Sequence, residues 1–119
     1  MNKLLFLLAL VITSCSVFNQ NDFVKDTEIK TPNINLQLRY RLYKTGIDNF
    51  RYEFYNLDKL DTIEVLTCYL NDAPASNVKF TISEHIDTLI IASNYNLAGE
   101  LQGKVNNVNI VLNYKPVNR

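Results

Sequence analysis

Asn35-Leu36-Gln37-Leu38-Arg39-Tyr40-Arg41-Leu42-Tyr43 is the stretch on which the fold turns. Leu36, Leu38, Tyr40 and Leu42 alternate with Asn35, Gln37, Arg39, Arg41 and Tyr43. Successive side chains of an extended chain point to opposite faces, so Asn33 to Tyr43 reads as a strand with an apolar inner face and a polar outer one. Lys44-Thr45-Gly46 supplies a turn, with Asp48-Asn49 following. Phe50, Tyr52 and Phe54 then alternate with Arg51, Glu53 and Tyr55, so a second strand pairs naturally with the first.

Downstream the same period recurs. Leu57 to Asp61 is ambiguous, because Leu57, Leu60 and Glu64 have helical spacing and Asn56 is a suitable N-cap. From Thr62 to Leu70 the residue types favour strand, and Asn71-Asp72-Ala73-Pro74 ends it. Val78, Phe80 and Ile82 form one apolar face. Thr88 to Ala92 is apolar on both sides and suits a central strand. Val108, Ile110, Leu112 and Tyr114 point one way until Pro116 stops the run, and a short strand is expected around Leu101. Strands at such intervals, with no strong helix, predict an all-β fold. We expect a two-sheet antiparallel β-sandwich of the transthyretin or immunoglobulin kind, spanning residues 33–119.

Upstream, Ser16 to Thr31 is dominated by Asn, Asp, Glu, Gln and Lys, with Phe18, Phe23, Val24 and Ile29 scattered among them. Residues 15–32 are therefore expected to be a flexible tether, averaging about 20–25 Å end to end. Phe23, Val24 and Ile29 offer an alternative in which part of it docks as an edge strand. Before the tether, Met1-Asn2-Lys3 carries one positive charge, and Leu4 to Ile12 is unbroken hydrocarbon. Basic start, apolar run and small residues are the parts of a secretory signal, assigned to residues 1–14. The run rises only about 14 Å as a helix, short of the ~20 residues a membrane span needs.

That run ends in Ile12-Thr13-Ser14-Cys15, which resembles the bacterial lipobox. The resemblance implies cleavage before Cys15, thioether diacylation of its sulfur and acylation of the freed amine. Two or more chains, at ~0.8 kcal/mol per buried methylene, hold a protein firmly to a bilayer. Ser16, where retention signals carry Asp, favours the outer membrane by the rule known for enteric bacteria. The expected location is thus the outer membrane, with the domain facing the periplasm.

Lys and Arg number 12 and Asp and Glu 12. Removing the leader takes only Lys3, leaving one more acid than base and no electrostatic footprint for nucleic acid. Of the 2 cysteines, Cys15 is committed to lipid, so Cys68 has no intramolecular partner and reads as a buried thiol.

Catalytic chemistry finds little support. Ser83, His85 and Asp87 share a face if extended, but neighbours two apart on a strand sit nearly 7 Å apart, too far for a nucleophile and its base. No Gly-x-Ser-x-Gly elbow exposes the serine. His85 is the only histidine, and neither metal-ligand clusters nor calcium-loop spacing around Asp72, Glu84 and Asp87 occur. The sequence predicts a protein that is not an enzyme and needs no cofactor or metal.

The outer face of the first hairpin carries more information. Arg39, Arg41 and Tyr43 line one strand, and Arg51, Glu53 and Tyr55 its neighbour. Arg and Tyr are favoured at protein interfaces, so Arg39, Arg41, Tyr43, Arg51 and Tyr55 are the candidate partner-binding residues. The alternative is a solvated face with an Arg–Glu pair contributing under ~1 kcal/mol. A sandwich edge could also recruit a partner's strand.

Leu38-Arg39-Tyr40-Arg41-Leu42-Tyr43-Lys44, with Phe50 beyond it, resembles the Arg-x-Tyr-x-Leu…Phe passage of the outer-membrane lipoproteins of type VI secretion systems. Leu89 to Ala92 falls where that family has an apolar strand. The family's Asn-Pro and Gly-Arg-x-x-Pro stretches are missing, since Pro32 here precedes Asn33. The resemblance implies a transthyretin-like sandwich bracing an inner-membrane partner in an envelope complex. The expected function is a lipid-anchored, non-enzymatic adaptor of a cell-envelope assembly. The alternative is an anchored module that binds or inhibits a secreted ligand or hydrolase.

Overall fold

A computed structural model describes residues 22–116, so the leader, Cys15 and the first part of the expected tether lie outside the described residues. In chain order the strands are β1 (Asp22–Glu28), β2 (Leu38–Gly46), β3 (Asn49–Asp58), β4 (Asp61–Leu70), β5 (Phe80–Glu84), β6 (Thr88–Ser93), β7 (Ala98–Gly99), β8 (Gln102–Val105) and β9 (Val108–Tyr114). A single 3-10 turn, Ala75–Asn77, joins β4 to β5. One sheet has the order β1-β2-β3-β4-β7 and the other β5-β6-β9-β8. The two-sheet β-sandwich read from the sequence is the fold.

The alternating stretch behaves as its pattern requires. Leu38, Tyr40 and Leu42 are buried, and their β3 partners Asn56, Phe54 and Tyr52 are buried opposite them. The other sheet contributes Leu89 and Ile91 from β6 and Ile110 and Leu112 from β9. Phe80 lies against Tyr40, Tyr52 and Phe54, with ring centroids 5.4, 5.3 and 5.7 Å away. Tilted and edge-on contacts of this kind add ~0.5–1.5 kcal/mol each beyond the burial of area.

Four local expectations are corrected. Part of the expected tether, Asp22–Glu28, is a strand: β1 pairs antiparallel with β2 from Asp22–Lys44 to Glu28–Arg39. The register slips between Phe23 and Lys25, so Val24 is an extra residue. Such a bulge erases the period-2 pattern by which a strand is recognised. β2 begins at Leu38, because Asn33 to Leu36 form a bent loop in which the Asn33 and Ile34 N–H groups donate to the Glu84 carboxylate. Leu57 to Asp61 holds no helical turn: β3 runs on to Asp58, Lys59-Leu60 turns with Lys59 at positive φ, β4 starts at Asp61, and the presumed cap Asn56 accepts instead from the Gln37 N–H at 3.0 Å. Finally, the sandwich is not purely antiparallel. β6 and β9 pair in parallel, Leu89 with Ile110 and Ile91 with Leu112, because β7 and β8 intervene and return the chain to its starting end.

The sheets meet closely at one corner. β4 is bulged at Val65, since Phe54 pairs with Leu66 but Tyr55 with Glu64, and both Val65 and Leu66 are buried. β8 passes against this bulge at Gly103, where a Cβ would lie 2.4 Å from the Val65 carbonyl oxygen. At the next turn Asn106 and Asn107 both have positive φ, the geometry of a tight hairpin for which asparagine is suited.

Candidate partner-binding face

The outer face of the five-stranded sheet is built in rows, because residues in register on neighbouring strands point the same way. One row runs Glu28, Arg39, Tyr55, Glu64; the next runs Asp26, Arg41, Glu53, Thr67; the third runs Phe23, Tyr43, Arg51, Tyr69. All five candidates, Arg39, Arg41, Tyr43, Arg51 and Tyr55, therefore share this face.

The first two rows form a closed polar network. Arg39 Nε donates to Asp26 Oδ1 at 2.9 Å, and Arg41 Nε lies 3.6 Å from Asp26 Oδ2. The Tyr55 hydroxyl donates to Asp26 Oδ2. Arg41 stacks over the Tyr55 ring with its guanidinium carbon 4.4 Å from the centroid. Tyr55 is left only 4% exposed, although it points away from the core. The arginines and Asp26 cover it.

Electrostatics follow from this packing. Partial burial opposes ionisation of Asp26, but the hydrogen bonds from Tyr55 and Arg39 and the charges of Arg39 and Arg41 outweigh it. Its carboxyl is held below the usual carboxylate value. Burial and its hydrogen bond to Asp26 raise the Tyr55 phenol, and Arg39 is raised first by its own hydrogen bond to Asp26. Inside the core, burial pushes the Cys68 thiol up to about 12 and raises Tyr52 as well.

The third row is open. Arg51 stacks over Tyr43 at 4.7 Å, and Phe23 meets the other side of Tyr43 edge-on at 5.7 Å. Phe23 is 58% exposed and Tyr69 41%. Arg51 Nη2 lies 3.5 Å from Glu53 Oε2, while its Nε is buried without a hydrogen-bond partner.

No family model matches the sequence. No curated protein and no solved structure matches it either. The functional reading therefore rests on the residues themselves.

Phe23 and Asp26 fall in the expected tether, and the alternative in which part of it docks as an edge strand is the one that holds, although the Val24 bulge obscures the pattern. Tyr69 comes into line only because the bulge at Val65 resets the parity of β4. The Val24 bulge leaves no period to detect, but the alternation of Thr67, Tyr69 with Leu66, Cys68, Leu70 was there to be used. Elsewhere, Ser83, His85 and Asp87 are all exposed around the β5–β6 hairpin, where the His85 N–H bonds the Thr88 carbonyl. Among the described residues no cluster of three or more His, Cys, Asp and Glu side chains could hold a metal ion.

Proposed function

We propose that this chain is an outer-membrane lipoprotein, anchored through lipid on Cys15, that serves as a non-enzymatic adaptor in a cell-envelope assembly. The assembly we favour is an envelope-spanning secretion complex of the type VI kind, on the resemblance of Leu38 to Lys44 and of the Ile12 to Cys15 lipobox. The observation that carries the adaptor reading is the Phe23, Tyr43, Arg51, Tyr69 row. It combines exposed aromatic area with an arginine held by stacking, the residue types that dominate binding energy at protein interfaces. The charged rows beside it serve mainly to hold β1 in place, which keeps Phe23 in line.

The row also lies near the anchor. Asp22 begins β1 one residue before Phe23, and the chain from Cys15 to Asp22 reaches at most ~25 Å. A partner gripping this row would be held close to the membrane surface.

Two measurements test the reading. Intact-mass analysis of the native protein is expected to show loss of residues 1–14 and added acyl mass at Cys15; an unmodified leader or a lipid-free amino end removes the anchor. A photocrosslinker replacing Tyr69 in intact cells is expected to capture one envelope protein, and Arg51→Ala is expected to abolish capture. Capture of a secreted hydrolase or other exported ligand, with no membrane partner, would instead support the inhibitor or binding-module reading.

A further inference from the structure

The sandwich has four sheet edges, and three are blunted by recognisable devices. β1 carries the Val24 bulge and the charges of Lys25, Asp26 and Glu28. β7 has only 2 residues. β8 is pressed against the β4 bulge through Gly103. The fourth edge, β5, is Phe80-Thr81-Ile82-Ser83-Glu84, with regular pairing to β6 and one charge. That charge is already engaged, since Glu84 accepts from the Asn33 and Ile34 N–H groups.

The ladder phase shows which backbone groups of β5 are free. The His85 N–H bonds the Thr88 carbonyl, and the Asn94 N–H bonds the Lys79 carbonyl. Alternate residues between them, Thr81 and Ser83, therefore turn their backbone groups toward β6. Phe80 and Ile82 turn theirs outward, to the open edge. Beside that edge runs a groove of about 360 Å³ lined by Ile29, Tyr40, Phe80 and Ile82, with Lys30, Lys79 and Glu28 as its charged residues.

We propose that β5 is a strand-acceptor edge: an extended segment of a partner protein pairs with Phe80 and Ile82, places alternate apolar side chains in the groove and sets acidic residues against Lys30 and Lys79. Free N–H and C=O groups at strand spacing recognise extended backbone rather than a helix or a small molecule. The apolar lining selects alternate side chains, and Lys30 and Lys79 outweigh the single acid Glu28, which favours an acidic segment. A second copy of this chain suits the edge poorly, because the one acid that its β5 would bring, Glu84, is already held by the Asn33 and Ile34 N–H groups. This site is separate from the Phe23–Tyr69 row and does not depend on acylation of Cys15.

The test uses the full chain in detergent and a blocked synthetic peptide of alternating valine and threonine flanked by glutamates. Residue-resolved hydrogen exchange is expected to slow at Phe80 and Ile82 when peptide is added, with little change at Thr81 and Ser83, which are already bonded. The double variant Lys30→Glu, Lys79→Glu changes only exposed side chains. It is expected to bind this peptide roughly tenfold more weakly and to prefer a lysine-flanked version. The proposal is overturned by unchanged exchange at Phe80 and Ile82 at millimolar peptide, or by protection that appears only on β1. Protection that grows with protein concentration in the absence of peptide overturns it too, by identifying a second copy as the occupant. A negative result here leaves the mass and crosslinking tests of the adaptor untouched.

Discussion

The hydroxyl of Tyr55 on β3 reaches over β2 to donate a hydrogen bond to Asp26 on β1, so one carboxylate ties together three strands. The two arginines of the intervening strand, Arg39 and Arg41, complete the clasp through their own contacts with the same carboxylate. β1 buries little, for only Thr27 is even half-buried along Asp22–Glu28. Its attachment therefore rests on the ladder and this clasp rather than on apolar area.

Asp26→Ala should accordingly release β1 and little else. The pairs are partly exposed and screened, so the expected loss is about 1 kcal/mol rather than the several expected of a buried pair. Hydrogen exchange should speed up along Asp22–Glu28 while β3 and β6 stay protected. Uniform destabilisation of every strand would show that the clasp is not local.

The same carboxylate sets an acid limit. Asp26 has its folded pKa below the unfolded value of about 3.9. A lowered carboxylate contributes stability that is complete above the unfolded pKa and disappears as pH falls through the folded one. Detachment of β1 is thus expected to set in below about pH 4. Asp26→Asn should remove that limb of the profile, and a pH titration of exchange at Asp22–Glu28 in both proteins checks it. Identical profiles would assign the acid transition to other groups.

How much of this was readable beforehand follows from periodicity. Wherever a strand keeps strict alternation, as Leu38 to Tyr43 and Phe50 to Tyr55 do, both its existence and its outward residues are legible, and all five candidates came out on one face. Where a bulge inserts a residue, as at Val24 and Val65, alternation fails and the neighbours are misassigned or overlooked. Nothing local announces that β6 and β9 pair in parallel, since strand order is decided by long-range packing. Burial of Tyr55 was equally hidden, because the covering atoms belong to Arg39, Arg41 and Asp26 from two other strands. Tyr114, expected to face inward, is 51% exposed because β9 ends there, beyond the cover of the opposite sheet.

Cys68 offers a probe of global opening. It is fully buried, and burial pushes its thiol up to about 12, so the thiolate is scarce at any ordinary pH. Native protein is expected to resist iodoacetamide at pH 8, with reaction appearing only as denaturant unfolds the domain. Labelling should then track the unfolding transition of the core and not the earlier release of β1. Rapid labelling of the native state would contradict the packing of β4 against the opposite sheet.

Gly103 tests the corner where the two sheets converge. A methyl group there would sit 2.4 Å from the Val65 carbonyl oxygen and 2.7 Å from Val65 Cγ1. Neither obstacle is a flexible side-chain end, since the oxygen is backbone and valine has a single stiff χ1 torsion. β8 must therefore shift outward or β4 must lose its bulge, and overpacking of this sort costs ~1–3 kcal/mol. Gly103→Ala is expected to lower the unfolding free energy by that amount, read as an earlier midpoint in a denaturant titration. The informative control is Val65→Ala in the same background. It removes the Cγ1 conflict but leaves the carbonyl in place, so only partial recovery is expected in a urea titration. Full recovery would show that the side chain, and not the bulged backbone, sets the distance between β4 and β8.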